Sequence, residues 1–154
     1  MVRISDLPPD DAKHLLSKKC TPFGSSPWVT GPPLKERRVA MITTAGIHLA
    51  GEKTFGFADT AFRIIPGDAK SGDMVMSHTS VNFDRSGFQQ DLNVAFPIDR
   101  LKELVVANEV GSIADFHYGF MGGGSKPSDF EKTAREVAGL LKKDNVDAVM
   151  LIPI

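Results

Sequence analysis

The chain has one cysteine, Cys20, among 154 residues. That excludes an internal disulfide and every Cys-x-x-Cys metal or redox motif within these residues. No stretch approaches the roughly 20 consecutive apolar residues that a membrane-spanning helix needs. At the N-terminus, MVRISDLPPDDAKHLL has prolines and acidic residues where a signal peptide carries its apolar segment, so a cytoplasmic location is expected. An excess of either charge is missing as well: 18 Lys and Arg against 19 Asp and Glu leave a net charge of -1. A nucleic-acid surface needs clustered positive charge to displace counterions, and nothing here favours an anionic membrane, so neither partner is expected. Internal repeats and low-complexity tracts are absent. So are the G-x-x-x-x-G-K-[ST] and G-x-G-x-x-G fingerprints, and GFMGGGSK reads as a crowded turn instead of a nucleotide site.

What remains is ordinary globular composition, 42% apolar and 24% charged, in a length that suits one domain with a real core. Residues 10–19 are compatible with a short amphipathic helix. CTPFGSSPWVTGPPLKERR then reads as an irregular arm, with Phe23 and Trp28 as its anchors. The division expected is a leader and arm over 1–36 and an α/β domain over 37–154. Residues 39–43 read as the first buried strand, running into a small-residue loop at Thr44, Ala45 and Gly46. AFRIIPGD, DMVMSHTS and DLNVAFP are further strand candidates, and GSIADFHYGFMGGG is a mixed strand and glycine turn. Pro97 suits the first turn of a helix whose apolar face carries Ile98, Leu101, Leu104 and Val105. Ser128 and Glu131 have capping-box spacing before a helix bearing Phe130, Ala134, Val137, Leu140 and Leu141. The closing run DNVDAVMLIPI reads as a buried strand. Together these predict a three-layer α/β sandwich with a mainly parallel sheet in a single domain.

The residues with chemistry fall at predicted strand ends, where ligands gather in open α/β sheets. TTAGIH places Thr43, Thr44 and His48 there, and its turn supplies hydroxyls and backbone N–H groups suited to an anion. SHTSVNFDRSGFQQDLN adds His78, Asp84, Arg85, Asp91 and Asn93, and DFHYGFMGGG adds His117. Arg85 has the planar fork that matches a substrate carboxylate. Asp84–Arg85 and Asp99–Arg100 read as local ion pairs or turn-forming contacts. The spacing of His48, His78 and His117 matches no metal motif, so acid–base or donor roles suit them better than zinc. Cys20, in an irregular arm without a histidine partner, is not expected to be a nucleophile.

Three blocks allow more: VAMITTAGIHLAGEKTFGFADTAFRIIPGD, SHTSVNFDRSGFQQDLNVAFPIDRLKEL and HYGFMGG. Together they resemble the selenoprotein B family of glycine, sarcosine and betaine reductases, with the related selenium subunit of D-proline reductase. The resemblance spans roughly residues 26–154. In that family the terminal apolar strand is followed at once by selenocysteine or cysteine. Selenocysteine is encoded by UGA, ordinarily a stop. The resemblance therefore implies that Ile154 is the residue before a selenocysteine and that this chain is truncated there. A naturally short relative is the alternative.

The implied chemistry is selenol- or thiol-dependent reductive cleavage of a C–N bond in a small amino-acid-like substrate. A pyruvoyl group on a partner subunit and a thioredoxin-like dithiol are its implied helpers. By position, Thr43, Thr44, Gly46 and His48 would form one wall of the selenolate site. His78, Asp84, Arg85, Asp91 and Asn93 would form another, with His117 and the glycines at the floor. No cofactor or metal is expected in these residues, and without the redox residue the chain is expected to be inactive as it stands. Homo-oligomers are expected through an uncovered sheet edge or face. Two other readings stand beside this one. The first is a binding or partner-docking domain without a redox segment; the second is a metal-assisted or acid–base enzyme using the three histidines.

Overall fold

The computed structural model describes residues 3–17, 24, 26, 28–80 and 84–154, so Cys20 and Phe23 lie outside the described residues. Contacts divide the chain into two units, Met1–Thr30 and Gly31–Ile154. In the first, helix α1 (Pro9–Ser17) buries none of its side chains. Trp28, the other aromatic of the arm, is 88% exposed.

The second unit is built around β1 (Arg38–Thr43), followed by β2 (Ile47–Leu49), β3 (Arg63–Pro66), β4 (Met74–Met76), α2 (Ser86–Gln90) and α3 (Ile98–Val106). The order continues through β5 (Ser112–Ile113), β6 (Phe116–Gly119), α4 (Glu131–Lys143) and β7 (Ala148–Ile152). Strand β1 is the centre of a five-stranded sheet. Along one side it pairs in parallel with β7, from Val39↔Ala148 to Thr43↔Ile152. Its other side is shared: β5 takes Arg38 and Val39, and β6 takes Ile42 and Thr43, both in parallel. Strand β3 adds antiparallel to β6, and β2 and β4 form a separate antiparallel pair.

Side chains alternate between faces along a strand, and both faces of β1 are covered. Val39 and Met41 pack with Ile98 and Leu101 of α3 in the larger core. Ile42 packs on the opposite face with Tyr118, Phe120 and Val137, Leu140 and Leu141 of α4. The result is helix, sheet and helix in three layers, as the alternation of elements predicts. Leu104 departs from the expected α3 face and is 44% exposed.

Three local readings change. DLNVAFP is not a strand: Leu92, Asn93 and Val94 form a 3-10 turn. The Asp91 carboxylate accepts the Asn93 backbone N–H at 2.9 Å, a local bond that competes with strand pairing. Asn93 then accepts the Asp99 N–H at 3.0 Å and caps α3. The turn before α4 uses Asp129, whose carboxylate accepts the Lys126 N–H at 2.8 Å, instead of the Ser128–Glu131 box. Finally, β7 is a strand as expected but not a buried one, with Val149, Met150 and Leu151 at 40%, 46% and 70% exposure. Among the described residues it pairs only with β1, which leaves its far edge free. No helix among the described residues is long and apolar enough to cross a membrane.

Candidate functional site at the strand ends

The parallel strands β1, β6 and β7 all finish on one side of the sheet, and their exits are tied together. Thr44 N–H donates to Ile152 O at 3.1 Å, Gly46 N–H to Phe120 O at 2.9 Å and Gly122 N–H to Thr44 O at 3.1 Å. Ala45 N–H donates to Thr43 Oγ1 at 3.2 Å. The Thr44–Gly46 turn therefore has its N–H groups committed to protein acceptors. It does not form the anion nest that its composition suggests.

Gly46 sits at φ 68, and a β-carbon there would lie 2.9 Å from the His78 backbone nitrogen. Only glycine tolerates both the left-handed backbone and so close an approach. Ser77 N–H donates to Gly46 O at 3.0 Å, and Thr79 Oγ1 lies 3.8 Å from Met121 Sδ. The loops after β1, β4 and β6 thus meet at one place.

Thr44 Oγ1 accepts the Ile154 N–H at 2.9 Å and donates to the Ile154 carbonyl at 3.3 Å. Beside these groups opens an apolar groove of about 410 Å³, walled by Ile42, Phe120, Phe130, Val137 and Leu141 with Thr44 and Gly122 among its lining. Two of the larger hollows, about 590 and 730 Å³, include Asp115 and Phe116 among their lining residues, at the start of β6 and the opposite end of the sheet. Of the expected site residues, Thr44 is the one that lines the strand-end groove.

The other expected site residues divide into groups. His78 is buried, and its Nδ1 accepts the Ser80 N–H at 3.2 Å. Burial first, then the charge of Arg85, holds its imidazole below the usual value and neutral at pH 7. Arg85 donates through Nη2 to the carbonyls of His78 and Ser80. Its fork thus braces its own loop. Thr43 is fully buried and donates to Ala95 O at 3.0 Å, which holds the 91–96 turn against the end of β1. Asp84 accepts the Ser86 N–H at 2.9 Å, and Asp91 accepts from Asn93. Those backbone bonds hold both carboxyls below the usual range. Of the alternatives for Asp99 and Arg100, the turn-forming contact is the one seen: Asp99 bonds Asn93, while Arg100 pairs with Glu103 at 2.7 Å.

His48 and His117 belong to the packing. His48 is buried on β2, its Nδ1 2.8 Å from Leu49 O and its ring edge-on to Phe55. His117 is fully buried and edge-on to Phe96. Its Nδ1 accepts the Met41 backbone N–H at 3.0 Å, filling the ladder position left open between β5 and β6. Burial dominates its titration and pushes the pKa down to about 4. Among the described residues no three His, Cys, Asp or Glu side chains are grouped to hold a metal ion.

One network has no signal in the local sequence. Arg38 donates through Nε and Nη2 to Asp144 Oδ1 at 3.0 and 2.5 Å, and its Nη2 lies 2.8 Å from Asp115 Oδ1. Asp144 Oδ2 in turn accepts the Asp115 and Phe116 N–H groups at 2.7 and 3.3 Å. Burial alone would raise the Asp144 carboxyl, but the Arg38 and backbone hydrogen bonds outweigh it and hold it low. These bonds satisfy the backbone where β5 breaks into β6, far from the strand-end groove.

Comparison with known proteins follows this geometry. Residues 32–153 match the family described as glycine/sarcosine/betaine reductase selenoprotein B. D-proline reductase subunit gamma of Acetoanaerobium sticklandii is 40% identical over 133 residues, covering 80% of this chain and 54% of that protein. Glycine reductase complex component B subunit gamma of Symbiobacterium thermophilum is 28% identical, covering 78% of this chain and 30% of that protein. Betaine reductase complex component B subunit beta of Peptoclostridium acidaminophilum is 24% identical, covering 77% and 28% respectively. The chain thus spans about half the length of the first relative and under a third of the other two. No solved structure matches it.

Proposed function

This chain belongs to the glycine/sarcosine/betaine reductase selenoprotein B family, and on that premise we propose that it is the α/β domain on which a reductase complex subunit carries its redox residue. The reaction is reductive C–N cleavage in a small amino-acid-like substrate of the glycine, sarcosine, betaine or D-proline class. The C–N bond is replaced by C–H, the amine leaves, and a thioredoxin-like dithiol is oxidised to the disulfide. The observation that carries this reading is the meeting of Thr44, Gly122 and Ile154 where three parallel strands end. A reactive group is expected at such a place in an α/β sheet.

A selenocysteine or cysteine following Ile154 fits that place. Thr44 holds the backbone there, and an apolar groove opens beside it. A selenol supplies a nucleophile that is mostly anionic at neutral pH, by the same logic that makes a thiolate the reactive form of cysteine. The pyruvoyl group belongs to a partner subunit in this reading. Thr43, Thr44 and Gly46 form one wall, and His78 with Arg85 the next; Asp84, Asp91 and Asn93 act as the turn-builders that hold these loops. His48 and His117 support the site from the packing behind it.

The test supplies the selenium-loaded subunit, the pyruvoyl-bearing subunit and dithiothreitol with each candidate substrate, and measures amine release or, for D-proline, the ring-opened product. Ring opening of D-proline would give a 5-amino acid. Substrate-dependent, selenium-dependent product supports the proposal; a complete, reduced complex that neither releases amine from the three open-chain substrates nor opens the ring of D-proline rejects it.

The exposed apolar residues of β7 favour a second reading, a domain that docks a partner without redox chemistry. In that case the same complex assembles but shows no turnover. Under either reading the free edge of β7 favours homo-oligomers or a neighbouring subunit at this strand.

A further inference from the structure

We propose that Thr44 is a positioning residue, whose one hydroxyl grips both backbone groups of Ile154 and so fixes where the chain leaves β7. The inference rests on reading the strand ends as the reductase platform, but the observations behind it do not.

The ladder between β1 and β7 reaches its last registered pair at Thr43↔Ile152, and Thr44 N–H still finds Ile152 O at 3.1 Å. The next residue, Pro153, has no N–H to donate, so backbone pairing stops there. At Ile154 a side chain takes over. A threonine hydroxyl can donate once and accept twice, and Thr44 Oγ1 uses both capacities on one residue, accepting N–H at 2.9 Å and donating to C=O at 3.3 Å. The two residues are 110 positions apart, so this is a tertiary tie and not a local turn.

Gly122 closes the arrangement from the β6 side. A β-carbon on Gly122 would lie 2.9 Å from Thr44 Cβ, 3.1 Å from its Oγ1 and 3.3 Å from Ile154 O. Three chain segments therefore converge with room for a hydrogen atom and no more. Such crowding confines the hydroxyl and the strand exit together. A group presented from this point inherits that placement, and displacement of a reacting group by about 1 Å is enough to cost two orders of magnitude in rate.

The test uses the intact chain with three variants: Thr44→Val, which keeps the shape and removes the hydroxyl, Thr44→Ser, which keeps the hydroxyl, and Gly122→Ala. Hydrogen exchange of the residue-154 amide is followed by NMR. In parallel, Ile154→Cys introduces a thiol at the gripped residue, which is 37% exposed, and its alkylation by iodoacetamide is measured from pH 6 to pH 10. The expected result is roughly tenfold faster exchange in Thr44→Val, as for loss of one net hydrogen bond, with protection kept in Thr44→Ser. The alkylation profile should shift several-fold in Thr44→Val and return in Thr44→Ser. Gly122→Ala should mimic Thr44→Val with the hydroxyl still present, which keeps the test intact if Thr44→Val folds poorly. Unchanged exchange overturns the proposal. Faster exchange with an unaltered alkylation profile also overturns it, since Thr44 would then be a structural tie alone. Both readouts need only this chain, so they separate from the amine-release assay.

Discussion

Acidification from pH 7 to pH 5 should weaken this fold, and His117 is the group that does it. Its Nδ1 is the acceptor for Met41 N–H at 3.0 Å, so in the folded protein the ring proton sits on Nε2. Protonating Nδ1 would turn that acceptor into a donor facing a donor, inside a fully buried site. Burial accordingly drives the pKa from 6.5 to about 4. A histidine depressed in the native state contributes stability that is complete above its unfolded value and is lost as pH falls below it. Linkage over that window amounts to about 2 kcal/mol between pH 7 and pH 5, rising to about 3 kcal/mol at pH 4. His78 is shifted in the same direction and adds to the total, so the comparison must isolate position 117. His117→Gln does so, because its side-chain oxygen can accept the Met41 N–H and does not titrate. Urea unfolding at several pH values should show the wild type losing about 2 kcal/mol more than the variant. The reasoning fails if the two lose stability in parallel, or if NMR titration finds His117 ionising near its ordinary value.

Other substitutions test the rest of the construction. Asp144→Ala should cost about 3 kcal/mol in chemical denaturation, because it removes the half-buried carboxylate that Arg38 and two backbone N–H groups share; Asp115→Ala, at a side chain 74% exposed, should cost under about 1 kcal/mol. Equal costs would show that the Asp144 bonds are not the ones that matter. Gly119→Ala would place a β-carbon 2.0 Å from Ile47 O and should destabilise by about 3 kcal/mol or more, seen as a lost or sharply lowered thermal transition. An unchanged Tm would contradict the close approach of β6 to β2. Leu151→Lys, at a residue 70% exposed, should leave stability within about 0.5 kcal/mol while reducing self-association in sedimentation velocity. Association that survives the added charge would place the contact elsewhere.

The legible parts of this fold are those whose cause lies close in sequence. Val39, Ala40 and Met41 announce a strand buried on both faces, and Ile98 with Leu101 announces the inner face of α3, because periodicity is a local property. The meeting of TTAG with GFMGG was likewise readable, since loops that leave parallel strands on one edge must converge, whereas SHTS reaches them from β4 of the separate antiparallel pair. DLNVAFP misleads because its alternation of Leu92, Val94 and Phe96 fits a strand equally well. The Asp91 and Asn93 side-chain bonds decide for a turn. Burial of β7 was not readable from its apolar run, since exposure depends on what lies beside the strand. The Arg38–Asp144 contact joins residues 106 apart, and nothing local to either end signals it. Nor did the spacing of the histidines disclose that His117 completes a backbone ladder, which depends on the break between β5 and β6.

In the function proposed, the strand ends around Thr44 and Ile154 present the redox residue of a reductase subunit. The most direct measurement is tandem mass spectrometry of the protein purified from its source cells, with selenium quantified on the same sample. The expected result is a peptide in which Ile154 is followed by selenocysteine or cysteine, and, for selenocysteine, one selenium per chain. A native protein in which neither residue follows Ile154 would contradict it.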